Sequence, residues 1–298
     1  MRLLVLGGSG FLGGYLLREA ARRGHQAMAL ARSPAAARTV AARGGRPLAG
    51  DLDDACRLDE VFAAAGCEAL VCLVSLGFGH GPVIVAAAEE AGLRRAVFVS
   101  TTAVTTTLHA PTRQIRLAAE QQIRGCGLDW TILRPTMIYG DAGDRNLSRL
   151  LIRLSRAAVL PVPAVGGRLH QPVHVADVAG AMLAALECPA AAGALYTVAG
   201  PEPLPFAELL GTCARAVGSR TRFLPVPLPP LVLLARGYEH LSRHPRIRAE
   251  QLTRLGEDKA FAIDDAARDL GYAPRPFADG IADEARLLGL LVTKGAPA

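Results

Sequence analysis

Short apolar runs alternate with longer amphipathic stretches through the first 134 residues of this 298-residue chain. The apolar runs predict strands over residues 3–6, 26–31, 46–49, 69–74, 96–100 and 129–134. The amphipathic stretches predict helices near residues 11–23, 34–43, 57–65, 81–91 and 112–124. Strands joined in this way by crossover helices indicate an α/β fold built on a doubly wound parallel sheet.

The pattern changes after Arg134-Pro135 and predicts a smaller, less regular C-terminal lobe. Its predicted parts are a basic helix over 146–158, hairpin-like strands around 160–172, a helix from Val175 and a proline-rich stretch over 201–230. A strand over 195–199 is expected to return to the sheet. We therefore predict a first domain over residues 1–140, with return elements near 170–200, and a substrate lobe mainly over 141–298 that interleaves with it.

The first predicted strand runs directly into a glycine-rich turn that opens the first helix. Gly7 and Gly10 allow a tight turn and the close approach of a pyrophosphate, and Gly13 allows the helix to pack closely on the strand. The free amides at the helix start supply donors for phosphate oxygens. We predict a Rossmann dinucleotide site rather than a purely structural turn. Its contacts here are Gly7, Ser9, Gly10, Phe11, Leu12 and Gly13.

The residues after the second predicted strand bear on which dinucleotide binds. An acid there would hydrogen-bond the ribose hydroxyls of NAD, but the sequence has Arg32-Ser33. Arg32 offers a planar fork suited to the 2′-phosphate of NADP, and Ser33 offers a hydroxyl donor or a helix cap. We predict NADP(H) in preference to NAD(H), with an ordinary surface arginine as the alternative for Arg32.

Further cofactor contacts are predicted only from their places at strand ends. Asp51-Leu52 follow the third strand, where a carboxylate can accept from the adenine amino group or cap a helix. Val74 and Ser75 close the fourth strand and are expected to lie beneath the cofactor.

Composition and charge indicate which classes of binding partner to expect. The net charge is +6, but the arginines are scattered and only 5% of residues are aromatic, so we predict an arginine-rich surface and no nucleic-acid site. Only Lys259 and Lys294 of the 33 basic residues are lysines. No apolar run is long enough to span a bilayer. Six cysteines without a C-x-x-C pair, and a strand in place of a signal peptide, predict a cytoplasmic protein without a zinc site.

Several motifs along nearly the whole chain resemble one superfamily. They are Gly7-x-x-Gly10-x-x-Gly13, Gly50-Asp51-Leu52, Val97-Phe98-Val99-Ser100-Thr101-Thr102, Ala119-Glu120, Leu133-Arg134-Pro135-x-x-x-Tyr139-Gly140, His174-Val175-x-Asp177-Val178 and Ala267-x-x-x-Gly271-Tyr272-x-Pro274. Together they resemble the short-chain dehydrogenase/reductase superfamily, in its extended or atypical branch, the NAD-dependent epimerase/dehydratase group.

The resemblance implies a substrate pocket between the sheet and the C-terminal lobe, with the nicotinamide facing Ser100 and Pro135. It also implies a homodimer through the fourth and fifth helices. In orthodox members a Tyr-x-x-x-Lys pair on the fifth helix moves the proton, at positions that Thr112 and Arg116 occupy here. No Tyr-x-x-x-Lys occurs anywhere in the sequence. Arg116 is expected to hold the ribose as a fixed cation, because a guanidinium cannot shuttle protons at neutral pH.

Four residues remain as catalytic candidates, namely Thr102, Arg116, His109 and Tyr139. Thr102 matches the residue that hydrogen-bonds the substrate oxygen in the resembled enzymes, although a solubilising threonine turn is as good an interpretation. His109 and Tyr139 are candidates for proton transfer. Their structural alternatives are an exposed loop histidine and a tyrosine packed under the second lobe. Arg134 is expected to anchor that lobe by donating to carbonyls.

Two hypotheses about function follow. The first is an NADP(H)-binding oxidoreductase or epimerase-like enzyme acting on a hydroxyl or carbonyl group of a small molecule, with a nucleotide-activated sugar among the candidates. The second is a non-catalytic NAD(P)H-binding sensor or assembly factor, motivated by the missing Tyr-x-x-x-Lys pair. Hydride transfer to a carbonyl substrate would separate the two.

Overall fold

The computed structural model describes residues 1–54, 57–108, 111–144, 146–242 and 249–290. Its strands are β1 (Arg2–Leu6), β2 (Gln26–Ala31), β3 (Arg46–Ala49), β4 (Ala69–Cys72), β5 (Arg95–Val99), β6 (Asp129–Pro135), β7 (Ile138–Tyr139), β8 (Val159–Ala164), β9 (Leu169–His170), β10 (Val173–His174), β11 (Ala194–Val198), β12 (Leu204–Pro205) and β13 (Arg222–Pro227). A seven-stranded sheet has the order β11-β6-β5-β4-β1-β2-β3, and every pairing in it is parallel. The predicted sheet is confirmed, with strand bounds within two residues.

Helices cover both faces of this sheet. They are α1 (Phe11–Arg22), α2 (Pro34–Ala42), α3 (Leu58–Ala65), α4 (Gly81–Glu90), α5 (Pro111–Arg124), α6 (Leu147–Leu154), α7 (Val175–Glu187), α8 (Phe206–Ala216), α9 (Leu228–Leu241), α10 (Ala249–Leu255), α11 (Asp264–Leu270) and α12 (Phe277–Leu287). One apolar cluster joins the sheet to α1, α2 and α7, and another joins it to α3, α4 and α5. The doubly wound α/β fold is therefore confirmed.

Strand β1 shows why the sheet reads as continuous apolar runs. Leu3 and Val5 are buried in the first cluster, whereas Leu4 and Leu6 are buried in the second. Because successive side chains of a strand point to opposite faces, a strand covered on both faces has no polar alternation.

The strand order places a crevice at the carboxyl ends of β1 and β4. Strand β1 lies between β2 and β4, so the chain winds outward from it in both directions. Leu6 pairs with Cys72, and Cys72 pairs with Phe98, so these strands end at one edge. In open parallel sheets such a reversal of strand order is where ligands bind.

The second half of the chain contributes to both parts of the molecule. Strand β11 pairs in parallel with β6, and α7 packs against α1, so α7 and β11 belong to the layers of the main sheet. The predicted returning strand is thus confirmed. Helices α6, α8 and α12 share a separate apolar cluster that includes Leu151, Cys213 and Ile281.

Two predictions about this lobe are wrong in detail. The strands around 160–172 form no hairpin, because β8 pairs with β13 and β9 pairs with β12. The helix predicted over 146–158 ends at Leu154, where the chain turns into β8. Helix α8 lies within the proline-rich stretch and contains no proline itself. Among the described residues, no helix combines the length and apolar character needed to cross a membrane.

Candidate functional site

The glycine loop between β1 and α1 leaves no room for side chains. Gly7 has a φ of +87°, in the region that favours glycine, and a Cβ there would lie 3.3 Å from the Leu73 Cβ at the end of β4. A Cβ on Gly13 would lie 2.6 Å from the carbonyl oxygen of Gly8, and closer still to that of Gly7. A ligand in the crevice can therefore approach the backbone of the loop closely. The first amides of α1 have no intrahelical partner. This geometry fits a pyrophosphate.

The side chains of the loop contribute to packing. The Phe11 ring meets Tyr15 edge-on at 5.9 Å, and Leu12 packs against the core. The backbone amides of Ser9, Phe11 and Leu12 are thus the groups available to a cofactor.

Arg43, which follows the end of α2, also contacts this loop, and the sequence did not predict that contact. Its guanidinium donates to the carbonyl oxygens of Ser9 at 2.8 Å and of Gly10 at 2.6 Å. These contacts hold the carbonyl side of the loop. The contact joins residues more than thirty positions apart, so no local pattern signals it.

The cofactor contacts predicted after β2 and β3 are Arg32, Ser33 and Asp51, which follow the carboxyl ends of these strands. Arg32 is exposed, and its side chain forms no hydrogen bond or ion pair within the described chain. The Ser33 hydroxyl accepts from the Ala36 amide at 3.2 Å and so caps α2. Asp51 accepts from the Asp53 amide at 3.2 Å and forms a local turn. It does not cap α3, which begins at Leu58.

A cavity of about 330 Å³, called the strand-end cavity, lies beyond β4 and β5. Its walls include Leu73, Ser75, Ser100, Thr101, Arg116 and Arg254. Arg116 donates to the Thr112 hydroxyl at 2.7 Å and to that of Ser75 at 3.4 Å. Burial, and then the positive charge of Arg254, lower the pKa of Arg116. Leu52 and Val74, which were predicted beside the cofactor, are half-buried against the core.

A buried ion pair fixes the floor of this cavity. Glu120 is 2% exposed and accepts from the Ser100 hydroxyl at 2.5 Å. Arg134 donates to both carboxylate oxygens, through Nε at 3.0 Å and through a second, shorter bond. The prediction that Arg134 donates to carbonyls is therefore wrong, because the carboxylate takes its whole fork.

A second cavity of about 350 Å³, called the threonine cavity, adjoins the first through Ala103 and Arg254. Its lining includes Thr102, Thr105, Arg168, Arg254, Lys259 and Phe261. Thr102 is nearly buried, and its hydroxyl donates to the carbonyl oxygen of Pro135 at 3.3 Å. This bond ties the loop after β5 to the end of β6.

Lys259 reaches the threonine cavity from the far end of the chain. Its amide donates to the Leu169 carbonyl at 2.8 Å beside β9, which fixes the backbone of the segment. Burial, and then the charge of Arg254, lower the pKa of Lys259 to about 8. Lysine is rare in this sequence, which made Lys259 conspicuous. Because Lys259 lies far along the chain from the predicted site residues, the sequence did not predict that it lines this cavity.

The structure describes Tyr139 but not His109, the two candidates for proton transfer. Tyr139 is 1% exposed and packs edge-on against Phe277 and His174, and burial raises the pKa of its phenol. The structure therefore places Tyr139 under the second lobe and away from both cavities. His109 lies outside the described residues. Within the described part of the chain, no group of three or more His, Cys, Asp or Glu side chains could hold a metal ion.

Comparisons with known proteins agree with this geometry. A family model described as NAD(P)H-binding matches residues 7–189. The chain is 30% identical over 317 residues to the 4-hydroxy-2-methyl-3-oxo-4-farnesyl-3,4-dihydroquinoline-1-oxide ketoreductase of Stigmatella aurantiaca, covering 92% of each. It is 27% identical over 319 residues to the 2-alkyl-3-oxoalkanoate reductase of Stenotrophomonas maltophilia, covering 92% of this chain and 95% of that one.

A solved structure shares the fold. The UDP-glucose 4-epimerase of Thermotoga maritima, solved with UDP-glucose, matches with a TM-score of 0.76 over 97% of this chain and 99% of that chain. The two sequences are 16% identical, so the likeness concerns the fold alone.

Proposed function

Because the chain belongs to the NAD(P)H-binding family, whose model matches residues 7–189, we propose that it is an NADPH-dependent reductase acting on a carbonyl group of a small molecule. Family membership confirms the resemblance to the epimerase/dehydratase-like branch of the short-chain dehydrogenase/reductase superfamily. The two reductase relatives, each matched over 92% of this chain, support an enzyme of the NAD(P)-dependent oxidoreductase or epimerase-like type. The choice of NADPH, of carbonyl reduction and of the residues below is our proposal.

The strand-end cavity is the observation that carries this proposal. It lies at the edge where the glycine loop ends, and Ser100, Thr101 and Arg116 all line it. Bound NADPH supplies a hydride there. The names of the two relatives, a ketoreductase and an oxoalkanoate reductase, favour reduction over epimerisation.

The chain's own residues orient the substrate and stabilise charge. The Thr101 hydroxyl lines the strand-end cavity and accepts from the Ala103 amide at 3.1 Å, so its own O–H can donate to a substrate carbonyl oxygen, whereas the O–H of Thr102 already donates to the Pro135 carbonyl. Arg116 is a fixed cation that stabilises negative charge developing on that oxygen. A guanidinium keeps its protons and Tyr139 is buried away from the cavities, so we propose that the proton comes from one of the two remaining candidates, His109 or water.

Arg116→Met is expected to lower kcat by about 100-fold or more, the usual cost of removing one group that stabilises an oxyanion. The measurement is NADPH oxidation with a panel of aliphatic ketones. Arg116→Lys, which keeps the charge, is expected to retain part of the activity. Arg113→Met is the matched control on α5, because Arg113 donates to the Val104 carbonyl and does not line the strand-end cavity. Equal rates for wild type and Arg116→Met would contradict the proposed role.

The non-catalytic alternative rests on Thr112 and Arg116, which are hydrogen-bonded at 2.7 Å in the places implied for the tyrosine and lysine. A sensor would bind NADPH with normal affinity and oxidise it with no ketone in the panel. Turnover that depends on Arg116 excludes this alternative.

Arg32→Ala is expected to weaken NADPH binding by about 10- to 100-fold, because a charge-assisted hydrogen bond to a phosphate is lost. NADH has no 2′-phosphate, so its dissociation constant should stay unchanged. Calorimetric titration with both dinucleotides at low salt measures the difference. Arg38→Ala, at an exposed arginine within α2, is the control. A parallel loss for NADH would show that Arg32 does not read the phosphate.

A further inference from the structure

Three cationic side chains line the threonine cavity. Arg168, Arg254 and Lys259 line it, and Arg116 lies in the adjoining cavity close enough for the charge of Arg254 to lower its pKa. Arginine keeps its charge in proteins, so these groups repel one another unless anions lie between them.

The acids beside these cations are already engaged. Glu257 accepts from the Thr106 and Thr107 hydroxyls and from the Thr107 amide, at 2.6 to 3.1 Å. Asp258 accepts from Arg168 at 2.6 Å and from the Leu169 amide at 3.0 Å.

Two side chains keep donors for a ligand. Within the described residues the Nζ of Lys259 has no hydrogen-bond partner, and no nitrogen of the Arg254 guanidinium forms a hydrogen bond. The remaining acid, Glu250, reaches Arg254 only at 3.9 Å. The lowered pKa of Lys259 reflects burial and this excess of positive charge, which a bound anion would relieve.

We propose that Arg254 and Lys259 form a recognition site for a carboxylate, so that the substrate reduced by this protein is an oxo acid. The inference rests on the proposed reductase function and names its substrate class. The carboxylate would occupy the threonine cavity while the carbonyl group reaches the adjoining strand-end cavity.

Charge balance favours a carboxylate over a diphosphate. The three cations that line the threonine cavity, Arg168, Arg254 and Lys259, face two acids in the same lining, Glu257 and Asp258, which leaves one positive charge in excess. A carboxylate supplies one negative charge and two oxygens, one for Arg254 and one for Lys259. A nucleotide diphosphate would bring two charges and leave an excess of the opposite sign.

The test compares acids with their neutral esters in NADPH-coupled assays. The substrates are 2-, 3- and 4-oxooctanoate, freshly prepared, and their methyl esters. We expect wild type to favour at least one acid over its ester by 10-fold or more in kcat/KM. Lys259→Met and Arg254→Met should lower that preference by about 10- to 100-fold, through KM, with the ester little affected. Lys259→Arg should retain most of the preference.

Binding measurements separate this proposal from the reductase itself. Calorimetry with 3-hydroxyoctanoate, its methyl ester, inorganic phosphate and UDP is carried out on the complex with NADPH. Binding of the hydroxy acid that Lys259→Met abolishes would support the carboxylate site even if no ketone is reduced. Equal kcat/KM for acids and esters, or a site that binds UDP or phosphate and not the hydroxy acid, would overturn it.

Two controls make loss of binding interpretable. Each variant must keep the melting temperature and the NADPH affinity of wild type. Arg153→Met removes an exposed arginine of α6 that lines neither cavity, so it should leave the acid preference unchanged. A similar loss in Arg153→Met would assign the effect to overall charge and would contradict the proposal.

Discussion

Gly13→Ala is expected to reduce NADPH affinity at least 100-fold and to lower the stability of the protein. The added Cβ would lie 2.6 Å from the Gly8 carbonyl oxygen and 2.7 Å from its carbon. Both are backbone atoms, so no side-chain rotation relieves the clash. Overpacking of this kind costs about 1–3 kcal/mol, and the loop that must hold the pyrophosphate moves to relieve it. Fluorescence titration with NADPH and thermal unfolding measure both effects.

Gly237→Ala is the matched control for this substitution. Gly237 lies in α9 with no atom within 4 Å of the position of an added Cβ. Alanine there is expected to stabilise the helix by about 0.5–1 kcal/mol and to leave NADPH binding alone. Unaltered NADPH binding by Gly13→Ala would disprove the close approach of helix and loop.

A buried acid in α12, Glu284, is expected to make a contribution to stability that falls as the pH rises from about 5 to 9. Glu284 is fully buried, and neither carboxyl oxygen has a hydrogen-bond partner within the described residues. Burial, and then the charge of Asp144, raise the pKa of Glu284 to about 9. Asp144 itself accepts from the Asn146 and Leu147 amides at the start of α6, so it is the better placed of the two to carry the charge.

The direction follows from proton counting. Above its ordinary pKa of 4.5, Glu284 is ionised in the unfolded chain but protonated in the folded one, so the folded state binds the extra proton. Its contribution to stability is complete below pH 4.5 and is lost as the pH rises through about 9. One proton gives a slope of at most about 1.4 kcal/mol per pH unit.

Glu284→Gln is expected to flatten this slope and to raise the melting temperature at pH 8, because the neutral amide needs no proton. Urea unfolding at pH 5, 6.5, 8 and 9 measures the free energy of unfolding for both proteins. Glu208→Gln, at an exposed position of α8, should leave the slope as it is. A difference in the free energy of unfolding between wild type and Glu284→Gln that stays constant from pH 5 to 9 would refute the buried proton.

The fold was predictable because its signals are local. Strands such as β1 are apolar over consecutive residues since both faces are covered, and the glycine loop follows β1 directly. The C-terminal lobe was less predictable, since β8 and β9 pair with strands that follow them by about 35 residues or more. An apolar run does not encode the partner with which it pairs.

The residues of the candidate site were likewise predictable only where the signal is local. Thr102 and Arg116 follow elements of the sheet, so strand order alone places them at the proper edge. Arg43 and Lys259 reach the loop and the threonine cavity through contacts with no sequence period. Arg134 was assigned the wrong partner, because the choice between a carbonyl and the Glu120 carboxylate depends on which group lies within reach.

By itself, the sequence determined the doubly wound sheet, the glycine loop and the absence of a Tyr-x-x-x-Lys pair, because each depends on neighbours within one element. Only the tertiary structure decided that Tyr139 is buried and that Lys259 shares a cavity with Thr102. Burial and electrostatic interaction depend on distance in space, and packing brings together residues that are far apart along the chain.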